Sequence, residues 1–224
     1  MQKNIIITGA SRGIGFELVK ILSKKHNVLA ISRNIEPLQD IINCQSLAID
    51  LSQTDDILQI SNYVNALWDR LDIIIHNAGK LVNKPFSETT TQDFLNVYQV
   101  NVFAVAELTR QLLPYFKKGS HVVNISSIGG VQGSSKFPGL SAYSSSKGSL
   151  ITLTELLAEE YKEKEISFNV LALGAVQTQM LEEAFPGYKA NINAKEMAKY
   201  IADFSLNGNK YFNGKVLSVA NSTP

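Results

Sequence analysis

Asn4-Ile5-Ile6-Ile7-Thr8-Gly9-Ala10-Ser11-Arg12-Gly13-Ile14-Gly15-Phe16 is the stretch on which the reading of this chain turns. Its first five residues hold three isoleucines and end on a β-branched threonine, a buried strand by pattern. Phe16, Leu18, Val19 and Leu22 then recur at helical spacing. Between them lies Gly-x3-Gly-x-Gly. Gly9 lets the chain leave the strand sharply at positive φ. Gly13 removes the Cβ that would keep the backbone from a pyrophosphate, and Gly15 lets the helix pack close to the strand. A helix that starts here points free N–H groups and a partial positive charge at an anion. A plain structural turn is the other reading of these glycines, and their place between the first strand and the first helix argues against it.

Outward from this stretch the same rhythm repeats. Apolar runs at Asn4–Thr8, Asn27–Ser32, Gln45–Ile49, Asp72–His76, His121–Ile125, Ile166–Ala172 and Lys215–Val219 alternate with helix-period segments. Runs apolar on both faces imply a parallel sheet covered by helices on each side. The pattern predicts one doubly wound, Rossmann-type α/β domain over 1–224 with a seven-stranded parallel sheet. Asn193-Ala194-Lys195-Glu196 reads as a capping box before a Met197–Phe204 helix. Thr54 precedes an amphipathic helix carrying Ile57, Ile60, Val64 and Leu67. The irregular stretches Lys80–Thr90, Gly129–Leu140 and Gln177–Asn191 all follow strand ends, where open α/β sheets bind ligands.

Composition narrows the function. The 224 residues are 45% hydrophobic and 18% charged, with formal charge +1. Lysines are scattered, so no basic stripe for nucleic acid is expected. No apolar run approaches the ~18 residues of a bilayer span, and the amino terminus lacks a secretory pattern. A soluble, cytoplasmic protein is expected. Cys44 is the single cysteine, and His26, His76 and His121 are dispersed, so no disulfide or metal site is expected. His76 reads as a hydrogen-bonded structural residue.

Thr8–Gly15 resembles the fingerprint of the short-chain dehydrogenase/reductase family, and other motifs follow in family order. Asp50-Leu51 is similar to the pair that holds adenine. His76-Asn77-Ala78-Gly79 resembles the Asn-Asn-Ala-Gly motif after the fourth strand, and Asn101 stands at the family's helix asparagine. Asn124-Ile125-Ser126-Ser127 and Tyr143-Ser144-Ser145-Ser146-Lys147 resemble its catalytic segments. The resemblance implies hydride transfer between a nicotinamide cofactor and a carbonyl or secondary alcohol, with Asn101, Ser127, Tyr143 and Lys147 as the catalytic set. By this resemblance Ser127 would position the substrate oxygen and Asn101 would continue the proton relay through water. It implies cofactor contacts from Gly9, Ser11, Arg12, Gly13, Ile14, Gly15, Ser32, Arg33, Asp50, Leu51, Asn77, Ala78, Gly79, Tyr143, Lys147, Val176 and Thr178, the last two toward the nicotinamide carboxamide. A small-molecule carbonyl or alcohol partner and a homodimer or homotetramer are implied as well.

The second strand ends Ala30-Ile31-Ser32-Arg33-Asn34, without the acid that commonly holds a ribose 2′-hydroxyl. Arg33 and Arg12 instead offer planar forks suited to a 2′-phosphate, so NADP(H) is expected over NAD(H). Each arginine read alone is a surface charge. Tyr143 and Lys147 stand four apart on a helix-period segment, which puts both on one face. The ammonium is expected to bring the phenol down from its usual value near ~10.

Two motifs depart from the family. Leu173-Gly174 stands in place of a Pro-Gly pair after the sixth strand, and the interval from Ser127 to Tyr143 is a few residues longer, within Gln132–Gly139. The chain stops soon after its last strand, and 179–191 is a short lid, so an open or small site is expected. The alternatives are a dinucleotide-binding sensor without turnover and an NAD-dependent alcohol dehydrogenase. An intact Ser-Tyr-Lys set speaks against the sensor.

Overall fold

The computed structural model describes residues 1–220. β1 (Asn4–Thr8) is followed by α1 (Gly13–Leu22), β2 (Asn27–Ser32), β3 (Cys44–Ala48) and α2 (Thr54–Leu67). β4 (Leu71–His76), α3 (Thr91–Tyr98), α4 (Ala104–Leu112), β5 (Phe116–Ser127) and α5 (Ser141–Glu160) come next. The chain closes with β6 (Ser167–Leu173), β7 (Val176–Gln177), α6 (Gln179–Ala184), β8 (Ile192–Asn193), α7 (Ala194–Asn207) and β9 (Val216–Val219). The main sheet has seven parallel strands in the order β3-β2-β1-β4-β5-β6-β9. The predicted α/β architecture is present, and strand order reverses between β1 and β4, the place where such sheets bind ligands.

Strand alternation divides the core in two. Ile5, Ile7, Ile73, Ile75, Val123 and Leu171 face α1 and α7. Ile6, Leu29, Ile31, Ile74, Val122 and Phe168 face α2, α4 and α5. Each of these aliphatic side chains is at most 1% exposed, and full burial of one such side chain stabilises by ~1.5–3 kcal/mol.

β1 and β2 lie where the sequence puts them. β5 begins earlier than its apolar run, because Lys117, Lys118 and Gly119 hide it; pairing starts at Leu71–Phe116 and then shifts register. Ser120 donates to the Leu71 carbonyl at 2.6 Å inside this irregularity. The Asn193 capping box forms as expected, with Asn193 Oδ1 accepting from Glu196 N and Glu196 Oε2 from Asn193 N. The stretch 177–191 is not all loop, as expected, but holds the ordered helix α6 between the paired short strands β7 and β8. No described helix is long and apolar enough to cross a membrane.

Candidate active site and cofactor cleft

The glycine turn joins β1 to α1 above the crossover. Gly9 and Gly13 adopt φ of +67° and +56°, a backbone that disfavours side chains. A Cβ on Gly15 would overlap the Gly9 carbonyl oxygen, so this glycine lets the helix sit against the turn itself. A Cβ on Gly13 would meet only the Thr178 side chain, its Cγ2 at 3.6 Å and its Cβ at 3.8 Å; the space above the turn is otherwise open. Arg12 is the N-cap of α1 and makes no side-chain cap, which leaves the first N–H groups pointing into that space. These features fit a dinucleotide pyrophosphate.

Neighbouring strand ends hold the turn. Thr8 Oγ1 accepts from the backbone N–H groups of Asn77 and Ala78, at 3.1 and 3.0 Å. Asn77 Nδ2 donates to the carbonyls of Thr8 and Gly9, at 3.1 and 3.2 Å. Ser32 Oγ donates to Ser11 Oγ at 2.7 Å, joining the end of β2 to the same turn. Asn77 is thus a brace for the glycine turn, and Thr8, absent from the predicted site set, is its counterpart. The Thr-Gly step was the available signal.

Asp50 Oδ1 accepts from Ser52 N and Ser52 Oγ, at 2.9 and 2.8 Å, and these bonds hold its carboxyl below the usual value. Leu51 is half-buried beside it. Arg33 is exposed at the end of β2. Arg12 is not free: its Nη1 and Nη2 donate to Glu183 of α6, at 2.9 and 3.4 Å.

The candidate catalytic side chains converge from β5, α5 and a π-helical turn. Ser127 ends β5, where its Oγ accepts from Gly129 N at 3.3 Å and lies near the Tyr143 phenol. The turn after it packs directly on α5. A Cβ on Gly129 would stand 2.8 Å from Ser144 Oγ, and one on Gly130 would stand 2.7 Å from the Lys147 backbone. Ser126 Oγ donates to the Lys147 carbonyl at 2.9 Å. Two glycines and a serine thereby register Ser127 against the Tyr143–Lys147 face; Gly130 and Ser126 were not anticipated in this role.

Asn101 is fully buried within a π-helical turn, Gln99–Phe103, that interrupts α3 and α4. Its Oδ1 accepts from Lys80 N at 2.8 Å, and its Nδ2 donates to Lys80 O and Ser146 Oγ, at 3.0 and 2.9 Å. The side chain therefore clamps the loop after β4 to α5. A Cβ on Gly79 would lie 3.6 Å from Lys147 Nζ and 3.7 Å from Asn101 Oδ1, so Gly79 keeps that corner open.

Electrostatics correct one expectation. The phenol is not brought down by its neighbour: burial pushes Tyr143 up to about 12, and the nearby Ser127 hydroxyl opposes this only in part. Lys147, 3% exposed, donates from Nζ to the Ile125 carbonyl at 2.8 Å, and burial brings its ammonium down to about 8. Desolvation is thus the leading effect on both members of this pair. His76 is buried, bonds Thr109 Oγ1 at 3.0 Å through Nε2, and is pushed down to about 3 by burial, a structural residue as its position implied. Among the described residues no group of three or more His, Cys, Asp or Glu side chains is placed to hold a metal.

Val176 is buried in β7, and Thr178 caps α6, accepting from Leu181 N at 3.2 Å. Gly174, which follows Leu173 at the missing proline, is tied by its N–H to the Val219 carbonyl at 3.0 Å, so a hydrogen bond to β9 steadies that turn.

A family model described as short chain dehydrogenase matches residues 3–189. A fatty acyl-CoA reductase from Acinetobacter baylyi (strain ATCC 33305 / BD413 / ADP1) is 32% identical over 80% of this chain, a match that spans 64% of that relative's length. The Pseudomonas aeruginosa RhlG/NADP active-site complex superposes with TM-score 0.86 at 25% identity, over 98% of this chain and 95% of that one. A Brucella melitensis 3-ketoacyl-(acyl-carrier-protein) reductase complexed with NADH superposes with TM-score 0.85 at 23% identity, over 97% of this chain and 96% of that one, and bears on the fold alone. With the family model covering most of the chain, and the fold alike, this protein belongs to the short-chain dehydrogenase family of oxidoreductases.

Proposed function

We propose that the chain, acting as one domain, is an NADP(H)-dependent reductase that converts a small-molecule carbonyl to the secondary alcohol. The observation that carries the reading is the convergence of Ser127, at the end of β5, with Tyr143 and Lys147 on one face of α5 beside the open glycine turn. The neutral phenol of Tyr143 is the proton donor that reduction needs, and the same pair run in reverse would serve oxidation.

In this reading Ser127 Oγ and the Tyr143 O–H both donate to the substrate oxygen and orient it. When bound, the nicotinamide would supply the hydride that the carbonyl carbon accepts. As negative charge gathers on oxygen, the O–H bond of Tyr143 breaks and its proton moves to that oxygen. The phenolate left behind is stabilised by the Lys147 ammonium, whose ring-centroid distance to Tyr143 is 5.7 Å. The proton is replaced from the open corner at Gly79, between Lys147 and Asn101. The glycine turn with Ser11 and Ile14 would cradle the phosphates and Asp50–Leu51 the adenine. Asn77, Ala78, Gly79, Val176 and Thr178 would line the nicotinamide side. Ser32, Arg33 and Arg12 would face the adenosine ribose, and its 2′-phosphate would meet the two arginines.

3-Oxoacyl thioesters, whose keto group would give a secondary alcohol, are one substrate class to try, and the assembly is read as a homodimer or homotetramer. The test is a carbonyl panel that includes such thioesters, run with NADPH and with NADH while the nicotinamide absorbance is followed. NADPH consumption with at least one carbonyl is expected. Absence of binding to either dinucleotide would defeat the proposal.

A further inference from the structure

Residues 178–191 form a strap over the cleft. Its base is pinned where Val176–Gln177 pair with Ile192–Asn193, and Ala190 N donates to Gln177 Oε1 at 2.9 Å. Its far end is tied at two consecutive residues to opposite walls. Glu183 takes both terminal nitrogens of Arg12, on the glycine turn, and the Ala184 carbonyl accepts from Asn83 Nδ2, on the loop after β4, at 2.8 Å. The Arg12 and Glu183 side chains are 48% and 53% exposed.

We propose that Glu183 is a built-in competitor for Arg12: its carboxylate occupies the guanidinium fork that a ribose 2′-phosphate would take, so a 2′-phosphorylated dinucleotide frees the strap tip and an unphosphorylated one does not. The proposal rests on the reading of this cleft as a dinucleotide site with Arg12 as a phosphate ligand. A carboxylate and a phosphate match the same planar pair of donors, and one fork cannot serve both in bidentate fashion. An exposed ion pair is worth only about two- to five-fold in an equilibrium, so a dianionic phosphate can displace it. The retained Asn83–Ala184 bond holds the substrate side of the strap while the cofactor side opens. Glu183 then lowers affinity for the phosphorylated cofactor alone and links strap order to cofactor identity.

The experiment reads binding, not turnover. Adenosine 2′,5′-bisphosphate and 5′-AMP are titrated calorimetrically at low ionic strength into the full chain, Glu183→Gln, Glu183→Ala, Arg12→Ala and the Arg12→Ala/Glu183→Gln double variant. Both Glu183 variants should bind the bisphosphate about two- to five-fold tighter, with 5′-AMP unchanged. In the Arg12→Ala background Glu183→Gln should add nothing. Amide exchange of 179–184 should quicken when the bisphosphate, and not 5′-AMP, is added to the unaltered chain. If Arg12→Ala weakens the bisphosphate while both Glu183 variants leave it unchanged, the competitor role is wrong and the phosphate reading of Arg12 stands. Unaltered bisphosphate binding in Arg12→Ala would overturn both. Failure of both probes and both dinucleotides to bind would overturn the cofactor reading itself and the competitor with it.

Discussion

Lys147 Nζ donates to the backbone carbonyl of Ile125 at 2.8 Å, which anchors the buried ammonium to β5. The penalty of burying it and the charge-assisted bond it makes oppose each other, each on the order of 2–3 kcal/mol. Lys147→Met should therefore change stability by no more than about 1 kcal/mol while turnover falls by at least ~100-fold. Thermal melts beside single-turnover rates check this. A variant destabilised by several kcal/mol would show that the ammonium is chiefly a structural brace.

Tyr143→Phe removes only a hydroxyl. Dinucleotide affinity should stay within about two-fold, and the reduction rate should drop ~10²–10⁴-fold. Fluorescence titration and steady-state kinetics separate the two, and a variant with unaltered rate would remove Tyr143 from the chemistry.

The pH profile follows from the two burial effects. Tyr143 stays protonated up to about 12, so the proton donor persists across the working range. Lys147 loses its proton near 8, and with it the charge that stabilises the phenolate. The kcat/KM for reduction should be level below pH 7 and decline as pH rises through about 8. Lys147→Arg should move that decline upward, because a guanidinium keeps its proton. A decline in the same place in Lys147→Arg would assign it to another group.

Acid sensitivity should come from two histidines held neutral. His121 Nδ1 donates to Ser205 O and its Nε2 accepts from Asn169 Nδ2, both at 3.0 Å, and burial pushes it down to about 4. His76 is pushed down to about 3. The unfolded chain protonates both near 6.5, so below that pH it binds more protons than the fold does, and stability falls as pH falls. Each histidine contributes a slope of ~1.4 kcal/mol per pH unit until its folded value is reached. His76→Asn should remove ~1.4 kcal/mol per pH unit of that slope between pH 6 and about 4, measured by denaturant unfolding. An unaltered slope would place the proton uptake elsewhere.

The glycines of the turn should separate by mechanism. Gly15→Ala drives a methyl into the Gly9 carbonyl and should destabilise the fold by about 1–3 kcal/mol. Gly13→Ala has space but a left-handed φ, costing ~1–2 kcal/mol, and its methyl enters the proposed phosphate space. It should lose at least ~10-fold in dinucleotide affinity. Equal affinity would mean the phosphates do not lie above this turn.

Local pattern made most of the architecture legible. Ile5–Thr8 and Asn27–Ser32 are apolar on both faces, and only a parallel sheet between helix layers buries both. The Gly9–Gly15 spacing specifies the turn because positive φ and close approach are properties of single residues. Tyr143 and Lys147 share a helix face by periodicity alone. Spacing could not show where Lys147 aims its proton, which way burial moves the phenol, or that Glu183 meets Arg12 across 171 positions. Those features depend on how distant segments exclude water and meet at one edge of the sheet, and a linear pattern holds no record of desolvation. The same holds for the start of β5, hidden among lysines, and for the two-residue strands at the base of the strap, which exist only because tertiary packing brings Val176 beside Ile192.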